Sequence, residues 1–212
     1  MSAILNDISQ KLQEGKAKDV KALVEQAISD GIEAKKILEE GLLPGMGIVG
    51  EKFKNNEVYV PEVLIAARAM KAGTDTLDPH LKAANVQPIG KICLGTVKGD
   101  LHDIGKNLVK MMMEGKGIEV VDLGVNVEPE AFLAAVKDQG CTIVCCSALL
   151  TTTMGVMQEV VDLFVKEGIR DKAKIMIGGA PITDAYCKSI GADGYTADAA
   201  SAADLAVEWL MA

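Results

Sequence analysis

Residues 91–109 read KICLGTVKGDLHDIGKNLV. The first seven form an apolar run closed by Lys98 and Gly99, as expected of a strand buried on both faces. From Asp103 the apolar residues recur at helical spacing and predict a helix over 103–114. Between the two lies a short polar loop holding Gly99, Asp100, His102 and Asp103. Strand, loop and helix open a βα unit. In open parallel sheets, loops at the C-terminal ends of strands carry the ligands. The chain has only two histidines, and one of them stands in this loop beside two carboxylates.

Downstream, the alternation repeats. IEVVDLG at 118–124 predicts a strand and 129–139 a helix. TIVCCSA at 142–148 predicts a strand and 154–166 a helix. KIMIGG at 174–179 predicts a strand, followed by a helix near Ala185. GYTA at 194–197 is a weak last strand before a helix ending near Trp209. Five such units predict an α/β domain, Rossmann-like, with a five-stranded parallel sheet in the flavodoxin-like order 2-1-3-4-5. Upstream, the apolar spacing is helical throughout. Ser2 is placed to cap a helix over Ile4, Leu5, Ile8 and Leu12, with Gly15 as the stop. Val20 to Ile28 form a second stripe closed by Gly31. A third runs from Glu33 to Phe53, kinked or crowded at Pro44, Gly45 and Gly47. A fourth begins at Pro61 and places Leu64, Ile65, Ala69 and Met70 on its apolar face. Short connections predict a four-helix bundle. The pattern breaks at 85–88, which sets a helical domain at 1–87 and a sheet domain at 88–212.

Bulk properties exclude several classes. The chain has 212 residues, is 49% hydrophobic and carries a net charge of −8. An acidic chain without clustered Lys and Arg is a poor nucleic-acid partner. No apolar run approaches the ~20 residues needed to cross a bilayer, and the N-terminus lacks a signal-peptide pattern. Cys93, Cys145 and Cys146 lie in strand-like runs and Cys141 just precedes one. A reducing, cytoplasmic location is expected.

In the predicted order, strands one and three meet at the switch point. Three stretches then converge at one mouth: KGDLHDIG, Ser147 with Thr151, Thr152 and Thr153, and Gly178-Gly179-Ala180. No G-x-G-x-x-G follows the first strand, so a dinucleotide is not expected. No HxH, CxxC or HExxH pattern marks a zinc site, and Cys145 and Cys146 would point to opposite faces of the sheet. A neutral imidazole is a good transition-metal ligand through one nitrogen if the other finds an acceptor, and Asp100 is placed to accept. One protein ligand cannot hold a bare metal. The metal should arrive in a macrocycle.

These residues resemble the signature of cobalamin-binding domains: D-x-H-x-x-G (Asp100, His102, Gly105), then S-x-L (Ser147, Leu149), then Gly178-Gly179. The intervals of 41 and 28 residues between the three parts fit that family. The helical segment resembles the cap that precedes the cobalamin domain of methionine synthase. The whole layout is similar to the free-standing corrinoid proteins of methanogen and acetogen methyltransferase systems, which serve methylamines, methanol, betaines or methoxyaromatics.

The resemblance implies cobalamin or a related corrinoid, passing between methylcob(III)alamin and cob(I)alamin. His102 would be the lower axial ligand of cobalt, replacing the cofactor's own benzimidazole. Asp100 would hydrogen-bond His102, and Thr153 stands where methionine synthase has a serine extending that relay. Gly99, Asp103 and Ile104 would flank the ligand loop. Ser147 and Thr151 would line the pocket of the displaced nucleotide tail, with Gly105, Gly178 and Gly179 leaving room for it and Leu149 among the cofactor-binding residues. Phe53 and Val60 match the two apolar cap residues that cover the methyl face. The implied partners are a substrate-specific methyltransferase, a second enzyme passing the methyl group to tetrahydrofolate or a thiol, and a reductive activator. The chain alone would be a carrier without a substrate pocket. The cobalamin subunit of an adenosylcobalamin mutase, or a storage or sensor protein, shares the three motifs. The cap over the upper face argues for methyl protection.

Overall fold

Lys91–Val97 forms strand β1, and every residue after Lys91 is buried. That burial on both faces is what the continuous apolar run requires. The computed structural model describes residues 2–212. The chain divides into two units, one running through Pro88 and taking in Gly115–Gly117, the other holding Ile89–Glu114 and Ile118–Ala212.

In the second unit β1 is joined by β2 (Glu119–Val127), β3 (Ile143–Ser147), β4 (Lys174–Gly178) and β5 (Gly194–Tyr195). All pairings are parallel, in the order β2-β1-β3-β4-β5. The order is the flavodoxin-like one that the sequence predicts. The connecting helices are α6 (Ile104–Glu114), α7 (Pro129–Gln139), α8 (Gly155–Lys166), α9 (Asp184–Ser189) and α10 (Ala199–Met211). Phe132 of α7 and Phe164 of α8 are fully buried against Val144, Cys146 and Ala148 of the β3 segment. Each such ring stabilises the unit by about 1.5–3 kcal/mol through burial. Cys145, one residue from Cys146, is buried outside that cluster, as alternation along a strand requires. β5 is only two residues long. A Cβ on Gly194 would stand 2.8 Å from the Trp209 ring, so α10 lies directly on this edge.

The first unit holds α1 (Ala3–Gln13), α2 (Ala17–Ser29), α3 (Ala34–Ile37), α4 (Leu43–Lys54) and α5 (Val60–Ala83). Ser2 occupies the N-cap position of α1, but its hydroxyl makes no capping bond. Its carbonyl accepts from Leu5 and Asn6 instead. Between α3 and α4, Leu38–Leu42 widens into a π-helical turn, where the Leu43 N–H donates to the Leu38 carbonyl. The cause is Pro44: without an N–H it cannot complete the regular ladder, and the turn before it relaxes to the wider spacing. Crowding occurs at Gly45, where a Cβ would lie 3.0 Å from the Ser9 carbonyl oxygen. Gly47 takes no part, since nothing stands within 4 Å of its Cβ position.

The fourth helix corrects the sequence reading in one respect. Its buried face is Val63, Ala66, Ala69, Met70, Gly73 and Leu77, whereas Leu64 and Ile65 are exposed by 41% and 44%. Small residues line the face because α2 and Leu42 approach closely there. A Cβ on Gly73 would stand 2.6 Å from Leu42 and 3.1 Å from Val20. The helix start is fixed by the Glu62 carboxylate, which accepts from the Tyr59 N–H at 3.0 Å.

Candidate functional site

The β1 chain leaves the sheet at Val97 and turns through Gly99, whose φ is +81°. The Asp100 N–H donates back to the Val97 carbonyl at 3.1 Å. This turn drives the Asp100 side chain inward, where it has no exposure at all. Both its oxygens are filled. Oδ1 accepts from the His102 N–H at 3.0 Å and lies 2.7 Å from His102 Nδ1. Oδ2 accepts from the N–H groups of Leu149 at 2.8 Å and Leu150 at 3.2 Å. It also lies 3.0 Å from the Thr153 hydroxyl, whose one proton is shared with the Leu150 carbonyl at 2.9 Å. One carboxylate thus ties the loop after β1 to the loop after β3.

Burial pushes the Asp100 carboxyl up, but the N–H groups of His102 and Leu149, the His102 ring and the Leu150 N–H outweigh it. Together they hold the group far below the usual carboxylate range. Asp100 is therefore an anion that can only accept. The His102 ring must donate from Nδ1, and a neutral ring then keeps its lone pair on Nε2. The His102 side chain is 52% exposed. Its carbonyl is held from below by the buried Thr96 hydroxyl at 2.8 Å.

Thr96, Ser147 and Gly178 stand side by side in register at the C-terminal ends of β1, β3 and β4. Ser147 is partly buried; Leu149 and Thr151 are exposed in the segment that follows. Asp103 is exposed at the start of α6, its carboxylate accepting from the Asn107 side chain at 3.1 Å. Gly105 and Gly178 open onto free space, with nothing within 4 Å of either Cβ position. Gly179 is different. Its φ is +130°, and a Cβ there would fall 1.8 Å from the Ala148 carbonyl oxygen, so the neighbouring loop itself demands glycine.

Apolar side chains are unusually exposed in these loops: Leu101 by 71%, Ile104 by 74%, Leu149 by 44% and Leu150 by 40%. Such a concentration of exposed apolar surface marks a binding face. The sequence reading singled out Ile104 and Leu149 but missed Leu101, Leu150 and Thr96. The available signal was apolar residues lying outside any predicted strand or helix, at the C-terminal ends of strands.

The cysteines are buried and unpaired. Among the described residues, no group of three or more His, Cys, Asp or Glu side chains could hold a metal ion. The site presents one donor atom on a half-exposed ring, an apolar surround and side-chain-free space at two glycines. This donor set fits a metal that brings its other ligands in a large, partly apolar macrocycle. In the first unit, Phe53 at the end of α4 and Val60 at the start of α5 are both only partly buried. They flank the turn at Asn56, whose φ is +58°.

Residues 90–204 match the family model described as the B12 binding domain, and residues 4–78 match a second model of the same description. The chain is 39% identical over 209 residues to dimethylamine corrinoid protein 1 of Methanosarcina mazei, covering 98% of this chain and 96% of that one. A crystal structure of a cobalamin-binding protein from Desulfitobacterium hafniense is 33% identical. It superposes with a TM-score of 0.80, over 97% of this chain and 98% of that one. A chain of the methanol:cobalamin methyltransferase complex of Methanosarcina barkeri is 29% identical. Its TM-score is 0.87, over 98% of this chain and 80% of that one.

Proposed function

The chain belongs to the B12 binding domain family, and from that premise we propose that it is a corrinoid protein carrying a methyl group between two methyltransferases. The observation that carries the reading is His102, half exposed and backed by the buried Asp100 carboxylate. The bound corrinoid would supply the chemistry, its cobalt taking up and giving up the methyl group.

The residues of the chain have distinct parts in this. His102 offers Nε2 as the protein's ligand to cobalt. Asp100 fixes the ring's tautomer and orientation. Thr153 holds Asp100 from the far side. Ser147 and Thr151 would offer hydroxyls to the nucleotide tail, while Gly105 and Gly178 would leave it space. Gly99, Asp103, Ile104, Leu149 and Gly179 shape the loops around it. Phe53 and Val60 would be the apolar residues that protect the methyl group. On this reading residues 1–87 act as the cap and 88–212 as the binding domain. No helix among the described residues is long and apolar enough to cross a membrane.

The partners implied are a donor-specific methyltransferase and an acceptor enzyme that uses tetrahydrofolate or a thiol, with a reductive activator. The names of the relatives, which include dimethylamine corrinoid proteins, support a methylamine-type donor system. The test is reconstitution with hydroxocobalamin followed by gel filtration. About one corrinoid per chain should co-elute, and the His102→Ala protein should show a changed cobalt spectrum. The loaded protein should then take a methyl group from one purified methyltransferase and yield it to another. A protein that elutes colourless, or that never exchanges a methyl group with either enzyme class, would refute the proposal.

A further inference from the structure

The ladder between β1 and β2 slips twice. Leu94 pairs with Asp122, Gly95 with Gly124, and Val97 with Val127. Between successive pairs β2 therefore carries an extra residue, and two residues there have positive φ: Gly124 at 84°, which closes the first slip as the partner of Gly95, and Asn126 at 54°, inside the second. Among non-glycine residues, asparagine is the type that tolerates this conformation best. Bulges of this kind turn a side chain out of the ladder. At Asn126 the result is a two-point grip on the loop after β1. Its side-chain Oδ1 accepts from the Gly99 N–H at 2.7 Å, and its own N–H donates to the Asp100 carbonyl at 3.0 Å.

We propose that Asn126 is a positioning residue that sets where the His102 ring stands and so how firmly it holds the metal. The proposal deepens the corrinoid reading and rests on it. The Asp100 carboxylate is fixed by the loop after β3. The Asp100 backbone is fixed by the Val97 carbonyl and by Asn126, and His102 lies only two residues beyond. The same strand also steadies the far end of the loop. Asp122 accepts from Lys106, which is 3% exposed in the first turn of α6, at 2.7 Å, and from the Gly124 N–H at 3.0 Å. β2 thus frames the histidine loop on both sides. Without the Asn126 acceptor the Gly99–Asp100 peptide gains freedom that must be lost again whenever His102 is bound. Losing this one exposed hydrogen bond should lower the histidine-on equilibrium constant about twofold to tenfold.

The experiment uses the full chain labelled with nitrogen-15 histidine, loaded with hydroxocobalamin and reduced to the cobalt(II) state. In its electron paramagnetic resonance spectrum a nitrogen-15 axial ligand splits each cobalt line in two, and an unlabelled nitrogen splits it in three. The native protein should give doublets. N126G removes the acceptor without straining the backbone and should lose part of the doublet signal. N126D keeps an acceptor and should restore it, which a merely structural role would not require. Triplets in the native protein would overturn the role of His102 and this proposal with it. Doublets of equal weight in the native protein and N126G would overturn this proposal alone. Should N126G not fold, hydrogen exchange of the Gly99 amide in the native apoprotein decides. Protection is expected, and exchange at the rate of an open loop would overturn the grip.

Discussion

His102 Nδ1 lies 2.7 Å from Oδ1 of Asp100, a carboxylate with no exposure to solvent. Five donors from two loops converge on that carboxylate, and it has no proton to return. Asp100→Asn replaces one oxygen by an NH2 group that must then face donors. Whichever way the amide turns, two or three of those donors lose their partner. The apoprotein should lose at least about 2 kcal/mol of stability, at ~1–3 kcal/mol for each polar group left unsatisfied. Urea unfolding of the apoprotein measures this directly. Nitrogen-15 spectra should show the Nδ1–H tautomer of His102 in the native protein and a mixture in the variant. A variant as stable as the native protein would mean that the carboxylate is not the hub of the two loops.

Thr153 acts on the same hub from the opposite side. Its hydroxyl is 3.0 Å from Asp100 Oδ2, and its methyl group packs near Gly99. Thr153→Ser keeps the hydroxyl and should cost little. Thr153→Val keeps the shape, removes the donor and should cost about 1–2 kcal/mol. Because Thr153 and Asp100 share one network, the Val substitution should cost much less in an Asp100→Asn background. Additive losses in that double-mutant cycle would show the two residues to be independent.

The distance from legible to illegible follows sequence separation and backbone conformation. Strand order could be read because β1, β3 and β4 are apolar runs that demand burial on both faces, although β2 is mostly only part-buried or exposed. Asp100 and His102 could be read as a pair because they stand two positions apart, and Thr153 because the topology brings the third strand beside the first. The buried face of α5 misled because Ala66 and Gly73 carry little hydrophobic signal, yet their smallness admits α2. The π turn before Pro44 needed both the missing N–H and the packing of Gly45 on α1. Asn126 was invisible because its grip on Gly99 spans 27 residues and depends on a positive φ that no periodicity reports.

The thiols should be silent in the native state. All the cysteines are buried. Burial, helped by the neighbouring Cys141, pushes Cys145 up to about 12, and burial, helped by Cys145, raises Cys146 further. A thiol whose value is raised stays protonated and unreactive at pH 8. Cys141 is the exception. A hydrogen bond from Cys93 favours its thiolate, burial opposes this, and the Lys91 charge adds to it. With an aromatic disulfide reagent at pH 8, the folded apoprotein should react slowly, at a rate set by local opening, and at Cys141 first. The unfolded chain should react at once at all five cysteines. If mass spectrometry finds Cys145 or Cys146 modified first, the burial account of these thiols is wrong.

The two neighbouring glycines at the end of β4 should fail in opposite ways. Gly179 is held at φ +130° with the Ala148 carbonyl oxygen 1.8 Å from where a Cβ would sit. No flexible side chain can yield there, because the obstacle is backbone. Gly179→Ala should therefore cost several kcal/mol, or about 3 and more by comparison with other strained sites, whether or not a corrinoid is present. At Gly178 a Cβ meets nothing within 4 Å. Gly178→Leu should leave the apoprotein's urea midpoint almost unchanged. Its side chain would instead fill the space assigned to the nucleotide tail, and uptake of hydroxocobalamin should fall at least about tenfold, the equivalent of ~1.4 kcal/mol. Gel filtration of the loaded variants beside urea unfolding of the apoproteins separates the two effects. A Gly178→Leu protein that folds and still loads to one corrinoid per chain would show that the tail does not pass over β4.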